Sequence, residues 1–191
     1  MGRLATPAEV PLPPWWDELD GRRVIAVTQG TQNVDPTDLL QPALDALADA
    51  DVIVAASTGV RGVDTLPFPV PPNARAAAML PFDALFPRVD LLVTNGGWGG
   101  TLTALSHGVP LVVGGADLDK PEVAGRVAAA GAGVNLRTGR PAPAAVREAV
   151  GRVRADPSYR DRAREIAAQL AEAGGAPRAA ELLEEFAAGA R

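Results

Sequence analysis

The residues of this chain whose types and spacing could do chemistry lie together between Asp90 and Lys120. A short apolar run, Leu91 to Val93, stops at Thr94-Asn95, as a buried parallel strand stops. Gly96, Gly97, Gly99 and Gly100 follow, and Thr101 to His107 then has the pattern of a helix closed by Gly108 and Pro110. A glycine-rich turn between a strand and a helix leaves backbone N–H groups uncovered by side chains. The helix dipole adds positive potential at the same point, and together they hold a phosphate. A second buried strand, Pro110 to Val113, delivers Asp119 and Lys120 to the same edge of the sheet.

Other phosphate motifs fail. No Gly-x-x-x-x-Gly-Lys-Ser/Thr occurs, and a dinucleotide fingerprint built on Gly97-Trp98-Gly99 would need a glycine where Leu102 stands. Cysteine is absent, and no carboxylate-histidine set clusters as a metal site would, so no metal and no cofactor are expected. Within the stretch, Thr101 can offer a hydroxyl and an amide to a phosphate, whereas Trp98 reads as packing. Asp119 with Glu122 has the spacing of a capping box, a sufficient structural reason for both residues. His107, the single histidine, falls at a helix C-terminus where the dipole suits it, and is not expected to be catalytic.

The elements that must position these groups alternate. Strands are expected at Val24 to Thr28, Val52 to Ala56, Ala76 to Leu80, Leu91 to Val93, Pro110 to Val113 and Val134 to Leu136. Asp35 with Pro36 starts a helix that carries Leu39, Leu40, Ala43, Leu44 and Leu47 on one face, and a short helix is expected at Asp83 to Phe86. Further helices follow at Glu122 to Ala130, Pro143 to Arg154, Pro157 to Glu172 and Pro177 to Ala187. The fold class is therefore α/β, a doubly wound, parallel, six-stranded Rossmann-like sheet with ligands at the carboxyl ends of its strands. Proline-rich Met1 to Gly21 reads as linker, with Trp15-Trp16 anchoring it to the domain that begins at Arg22. Met1-Gly2 with Thr6 matches a myristoylation pattern only formally, with no polybasic support.

Composition bounds the function. With 18 basic and 23 acidic residues the formal charge is −5, so no basic field draws nucleic acid. No apolar run approaches the roughly 20 residues of a membrane span, no signal peptide is visible, and a cytoplasmic protein is expected.

The spacing also carries a resemblance. Asn95-Gly96-Gly97-Trp98-Gly99-Gly100-Thr101, then Ala104-Leu105, Gly108-Val109-Pro110 and Asp119-Lys120, resembles the donor-binding signature of family 1 glycosyltransferases, of the bacterial antibiotic type, over roughly Val24 to Phe186. The resemblance implies the C-terminal half of a GT-B fold, which binds a uridine or thymidine diphosphate sugar without metal. An N-terminal acceptor-binding half, absent from this chain, supplies the base and the small-molecule acceptor. It also implies donor-binding roles for Gly30 and Thr31, for Leu80 and Pro81 beside the base, for Asn95, Gly96, Gly97, Gly99, Gly100 and Thr101 at the phosphates, and for Asp119 and Lys120 at the sugar. Asn95 departs from the family's usual histidine, keeping a neutral N–H donor without a titrating ring. Lys120 replaces the usual glutamine and adds charge, and Thr103 stands where plant members have a glutamate. The expected activity is that of the donor half of an inverting glycosyltransferase, inactive in isolation. The alternative is a non-catalytic nucleotide-sugar-binding subunit or sensor working with a partner chain.

Overall fold

A computed structural model describes residues 10–32 and 35–189; the Met1-Gly2 and Thr6 pattern lies outside the described residues. The strands are β1 (Val24–Thr28), β2 (Ile53–Ser57), β3 (Ala74–Ala77), β4 (Leu91–Thr94), β5 (Leu111–Val113) and β6 (Gly133–Asn135). The helices are α1 (Leu40–Leu47), α2 (Phe82–Leu85), α3 (Trp98–Ser106), α4 (Lys120–Ala129), α5 (Pro143–Ala155), α6 (Ser158–Glu172) and α7 (Gly175–Gly189). The strands form one sheet in the order β3-β2-β1-β4-β5-β6, every pair parallel. The chain builds outward from β1, returns to the middle at β4 and builds outward again. The strand order therefore reverses between β1 and β4, where doubly wound sheets open a crevice.

Both faces of the sheet are covered, which explains the unbroken apolar strands. Along β1, Val24 and Ala26 pack into one layer and Ile25 and Val27 into the other. The first layer holds Trp16, Leu19, Phe86, Leu105, Val127 and Ala163, under α3, α4 and α6. The second holds Leu40, Leu44, Leu47, Val146, Val150 and Val153, from α1 and α5. The Trp15 indole N–H donates to the Ala76 carbonyl at 3.1 Å, and the Arg88 guanidinium lies 5.3 Å from the Trp16 ring centroid. The packed core therefore reaches back to Trp16, and the tryptophans pin the preceding segment to the β3 edge. At the other end, α7 buries no residue, and Leu182, Leu183 and Phe186 stay exposed.

Several boundaries move for tertiary reasons. Asp35 does not cap α1; its Oδ1 accepts from the Thr37 N–H at 2.9 Å and closes a turn, and the helix starts at Leu40. The Leu40 N–H is met instead by Gln29 Oε1 at 3.2 Å, a partner eleven residues away. β3 begins two residues before the expected Ala76, because its register is set by pairing Ala74 with Val54, and Leu80 drops into the core. α3 begins at Trp98 rather than Thr101: the Thr101 N–H donates to the Gly97 carbonyl at 3.0 Å, so Gly99 and Gly100 form the helix's first turn despite poor intrinsic propensity.

Candidate functional site

Three adjacent strands end in the same device. In Thr28-Gln29-Gly30, Ser57-Thr58-Gly59 and Thr94-Asn95-Gly96 the first hydroxyl accepts the N–H of the glycine two residues on, at 3.3 Å each time. The glycines have φ of 75°, 72° and 84°, a region where a side chain would be strained. The three loops therefore turn alike and pack on one another. A Cβ on Gly59 would collide with the Gly30 carbonyl, and one on Gly30 would meet the Asn95 amide at 3.4 Å.

Asn95 ties these loops together. It is buried; its Nδ2 donates to the Gln29 carbonyl and its Oδ1 accepts the Gly97 N–H at 3.2 Å. The sequence suggested a donor for a pyrophosphate. The structure engages both ends of this amide in holding the β1 and β4 loops.

A cleft of about 280 Å³ opens between the ends of β1 and β4, at the strand-order reversal. Of the residues expected there, Gly30, Thr31, Asn95, Gly97, Gly99, Gly100 and Lys120 line it. The first amides of α3, those of Trp98, Gly99 and Gly100, have no hydrogen-bond partner among the described residues. A Cβ on Gly99 or Gly100 would meet open space among the described residues.

Gly96, Leu80, Pro81, Thr101 and Asp119 do not line the cleft. A Cβ on Gly96 would lie 2.7 Å from Val113 Cγ1, so this residue turns toward β5. Leu80 is in the core, while its neighbours Met79 and Phe82 reach the cleft. Thr101 is buried; its amide closes the first turn of α3 and its hydroxyl has no partner. Asp119 forms no capping box with Glu122. Its backbone is helical (φ −83°, ψ −9°), not extended as a cap requires, and Glu122 pairs with Arg126 at 2.6 Å. The Asp119 residue is exposed, and its carboxylate makes no cap hydrogen bond.

The cleft also recruits residues that sequence reasoning missed: Thr28, Gln32, Ser57, Gly59, Met79, Phe82, Thr94 and Trp98. An apolar run ending in Ser/Thr-x-Gly was a readable signal for the strand ends. Trp98, expected to be packed, is 51% exposed at the cleft rim. Phe82 is held by stacking on Phe86, with centroids 4.8 Å apart. Lys120 is 4% exposed, and its ammonium donates to Asp117 Oδ1 at 2.6 Å. That bond holds the Asp117 carboxyl below the usual carboxylate range. His107 lies at the far end of α3, its Nε2 3.4 Å from Asp83 Oδ1. Thr103 turns its hydroxyl back to the Gly99 carbonyl at 2.9 Å. No group of three or more potential metal ligands occurs among the described residues, and no helix among them is long and apolar enough to cross a membrane.

A doubly wound α/β domain with its cleft at the strand-order reversal is the class that fold and site define. The chain belongs to the family described as erythromycin biosynthesis protein CIII-like, C-terminal domain, whose profile matches residues 41–188. It is 44% identical over 190 residues to 4'-demethylrebeccamycin synthase of Lentzea aerocolonigenes, covering 96% of this chain and 44% of that protein. It is 45% identical over 172 residues to UDP-glucosyltransferase B1 of Starmerella bombicola, covering 87% and 39%. Among solved structures, the glycotransferase of kitacinnamycin superposes with a TM-score of 0.77 at 28% identity, covering 97% of this chain and 47% of that one. The glycosyltransferase SsfS6 of Streptomyces sp. SF2575, solved with thymidine diphosphate, superposes at 0.74 with 30% identity, covering 93% and 45%. The chain thus spans less than half the length of the curated relatives it matches, and its fold is one half of a GT-B glycosyltransferase.

Proposed function

We propose that the cleft binds the diphosphate of a uridine or thymidine diphosphate sugar, and that residues 22–191 are the donor half of an inverting glycosyltransferase. The observation that carries this reading is the set of unpartnered Trp98, Gly99 and Gly100 amides opening onto a cleft at the strand-order reversal. Backbone donors at a helix N-terminus stabilise an anion without any metal. The names of the relatives support a diphosphate sugar: one is a UDP-glucosyltransferase, and SsfS6 was solved with thymidine diphosphate.

In this reading the donor's anomeric carbon faces an acceptor hydroxyl presented by a facing N-terminal half. A base on that half takes the hydroxyl proton, the oxygen attacks, and the nucleoside diphosphate leaves. The cleft stabilises the charge that develops on the leaving group. Asp119 has no capping role, so its exposed carboxylate is available to sugar hydroxyls only where the bound donor extends beyond the cleft lining. Among the described residues lining the cleft there is no carboxylate and no histidine, hence no base. That observation also favours the second reading, a nucleotide-sugar-binding subunit or sensor working with a partner chain.

Two measurements test the proposal. Calorimetry with uridine and thymidine diphosphates should give binding that is unchanged by a chelator; binding that vanishes with the chelator overturns the metal-free site. Incubation with donors and hydroxylated acceptors should give no turnover by the isolated chain, and turnover once an acceptor half is fused ahead of it. Multiple turnover by the isolated chain would defeat the split-cleft reading.

A further inference from the structure

Lys120 is the one ionisable side chain lining the cleft among the described residues. Lysine is almost never fully buried unless paired, and it normally keeps its ammonium in water. Here Gly115 makes room for it, and Gly96 lies alongside. A Cβ on Gly115 would lie 2.7 Å from Lys120 Cβ, and one on Gly96 would lie 3.8 Å from the same atom. The lysine stem is therefore clamped between the β4 and β5 loops.

Among the described residues its ammonium hydrogen-bonds only Asp117, and the pair is asymmetric: the lysine side chain is 5% exposed and the aspartate side chain 66%. The cation is fixed inside the wall of the site, while the anion is solvated and belongs to a neighbouring cleft that also meets Asn95. An ammonium carries three donors, and Asp117 uses one of them. An incoming diphosphate brings more negative charge than one carboxylate, together with enough acceptor oxygens for the remaining donors.

Resting on the donor-site reading above, we propose that Lys120 is the counter-charge of the donor diphosphate, held in reserve by Asp117. On donor binding the ammonium exchanges the Asp117 carboxylate for phosphate oxygens. During transfer the bond from the anomeric carbon to the phosphate oxygen breaks and its electron pair stays on that oxygen. The acceptor oxygen forms the new bond, and its proton goes to the base of the facing half. The leaving nucleoside diphosphate gains one negative charge, which the buried Lys120 ammonium meets at close range.

The test measures calorimetric affinity for uridine and thymidine diphosphates in the parent chain and in Lys120→Gln, Lys120→Met, Asp117→Asn and Gly99→Val, at two salt concentrations. Removing the ammonium should weaken binding roughly tenfold to a hundredfold, the scale of a charged hydrogen bond. It should also flatten the salt dependence. Asp117→Asn, at an exposed position, should tighten binding several-fold by removing the competing anion, an effect that a merely structural ion pair would not produce. If Lys120→Gln binds within twofold of the parent while Gly99→Val loses binding, the cleft is a diphosphate site and the counter-charge is wrong. If the parent itself binds neither nucleotide, the donor-site reading falls and this inference with it. Should both lysine variants fail to fold, Asp117→Asn decides: affinity unchanged or weakened overturns the proposal.

Discussion

The main-chain oxygen of Asn95 occupies the space in which a side chain at Gly115 would begin. The loops after β4 and β5 therefore meet backbone against backbone at this point. The nearest atom opposing a new methyl group is a main-chain oxygen, which cannot swing aside as the end of a flexible side chain can, and Lys120 Cβ lies 2.7 Å away as well. Gly115→Ala should lower stability by about 1–3 kcal/mol, the usual cost of overpacking, and should weaken nucleotide binding as the Asn95 turn shifts. Urea unfolding with parallel calorimetry checks both effects.

Gly125 gives the opposite expectation. It is exposed in the interior of α4, where a Cβ meets nothing. Gly125→Ala should raise stability by about 0.5–1 kcal/mol through helix propensity and leave affinity alone. A loss in urea unfolding would show that α4 is packed against something in solution.

Gly99 separates folding from binding. Its Cβ position is open space at the first turn of α3, so Gly99→Val should fold normally. The valine would stand over the free amides and cost binding on the order of 1.5–3 kcal/mol, about one charged-acceptor hydrogen bond. Parent-like calorimetric affinity in a folded variant would remove the phosphate from this turn.

Thr101 is expected to behave differently from its place in the motif. Its hydroxyl is buried without a partner and lies off the cleft wall. Thr101→Val keeps the shape and removes an unsatisfied polar group, so stability should rise by up to about 1 kcal/mol with affinity unchanged. Weaker binding by this variant would show that the hydroxyl turns toward the ligand when the site fills.

Two pH profiles follow from the charges. Lys120 is the only ionisable residue of the described cleft lining, and Asp117 is held below its ordinary value by the Lys120 bond. Affinity for a nucleotide sugar, whose phosphates carry no proton that titrates near neutrality, should be flat between about pH 5.5 and 8. A fall centred near pH 6.5 would implicate a histidine. Stability behaves differently. Glu18 is lowered chiefly by its hydrogen bond from Arg75, Asp35 by Thr37, Asp117 by Lys120 and Asp156 by Ser158. Depressed carboxyls stabilise the fold above their unfolded values of 3.8 to 4.5, and that contribution disappears as the pH falls through the lower folded values. Thermal unfolding should therefore be level near neutrality and decline below about pH 4.5.

The amino-acid sequence determined by itself the alternation of apolar strands and amphipathic helices, and hence a parallel sheet with both faces covered. Burial on both faces demands runs such as Val24-Ile25-Ala26-Val27, and such runs are visible without coordinates. It also determined where the glycine-rich turn of the cleft lies, because a glycine cluster between strand and helix is a local pattern. What each residue of that turn does was decided by tertiary contacts. Asn95 donates to Gln29, 66 residues away in the chain. Lys120 is buried where the β5 loop carries Gly115, which leaves space for its stem beside the β4 loop. Thr101 closes a helix that starts three residues earlier than local propensity allows, and Trp98 stands at the rim instead of in the core. Local patterns report backbone propensity and periodicity. The use of a buried amide, hydroxyl or ammonium depends on which loops the sheet order brings together, and that order is settled only when the strands pair.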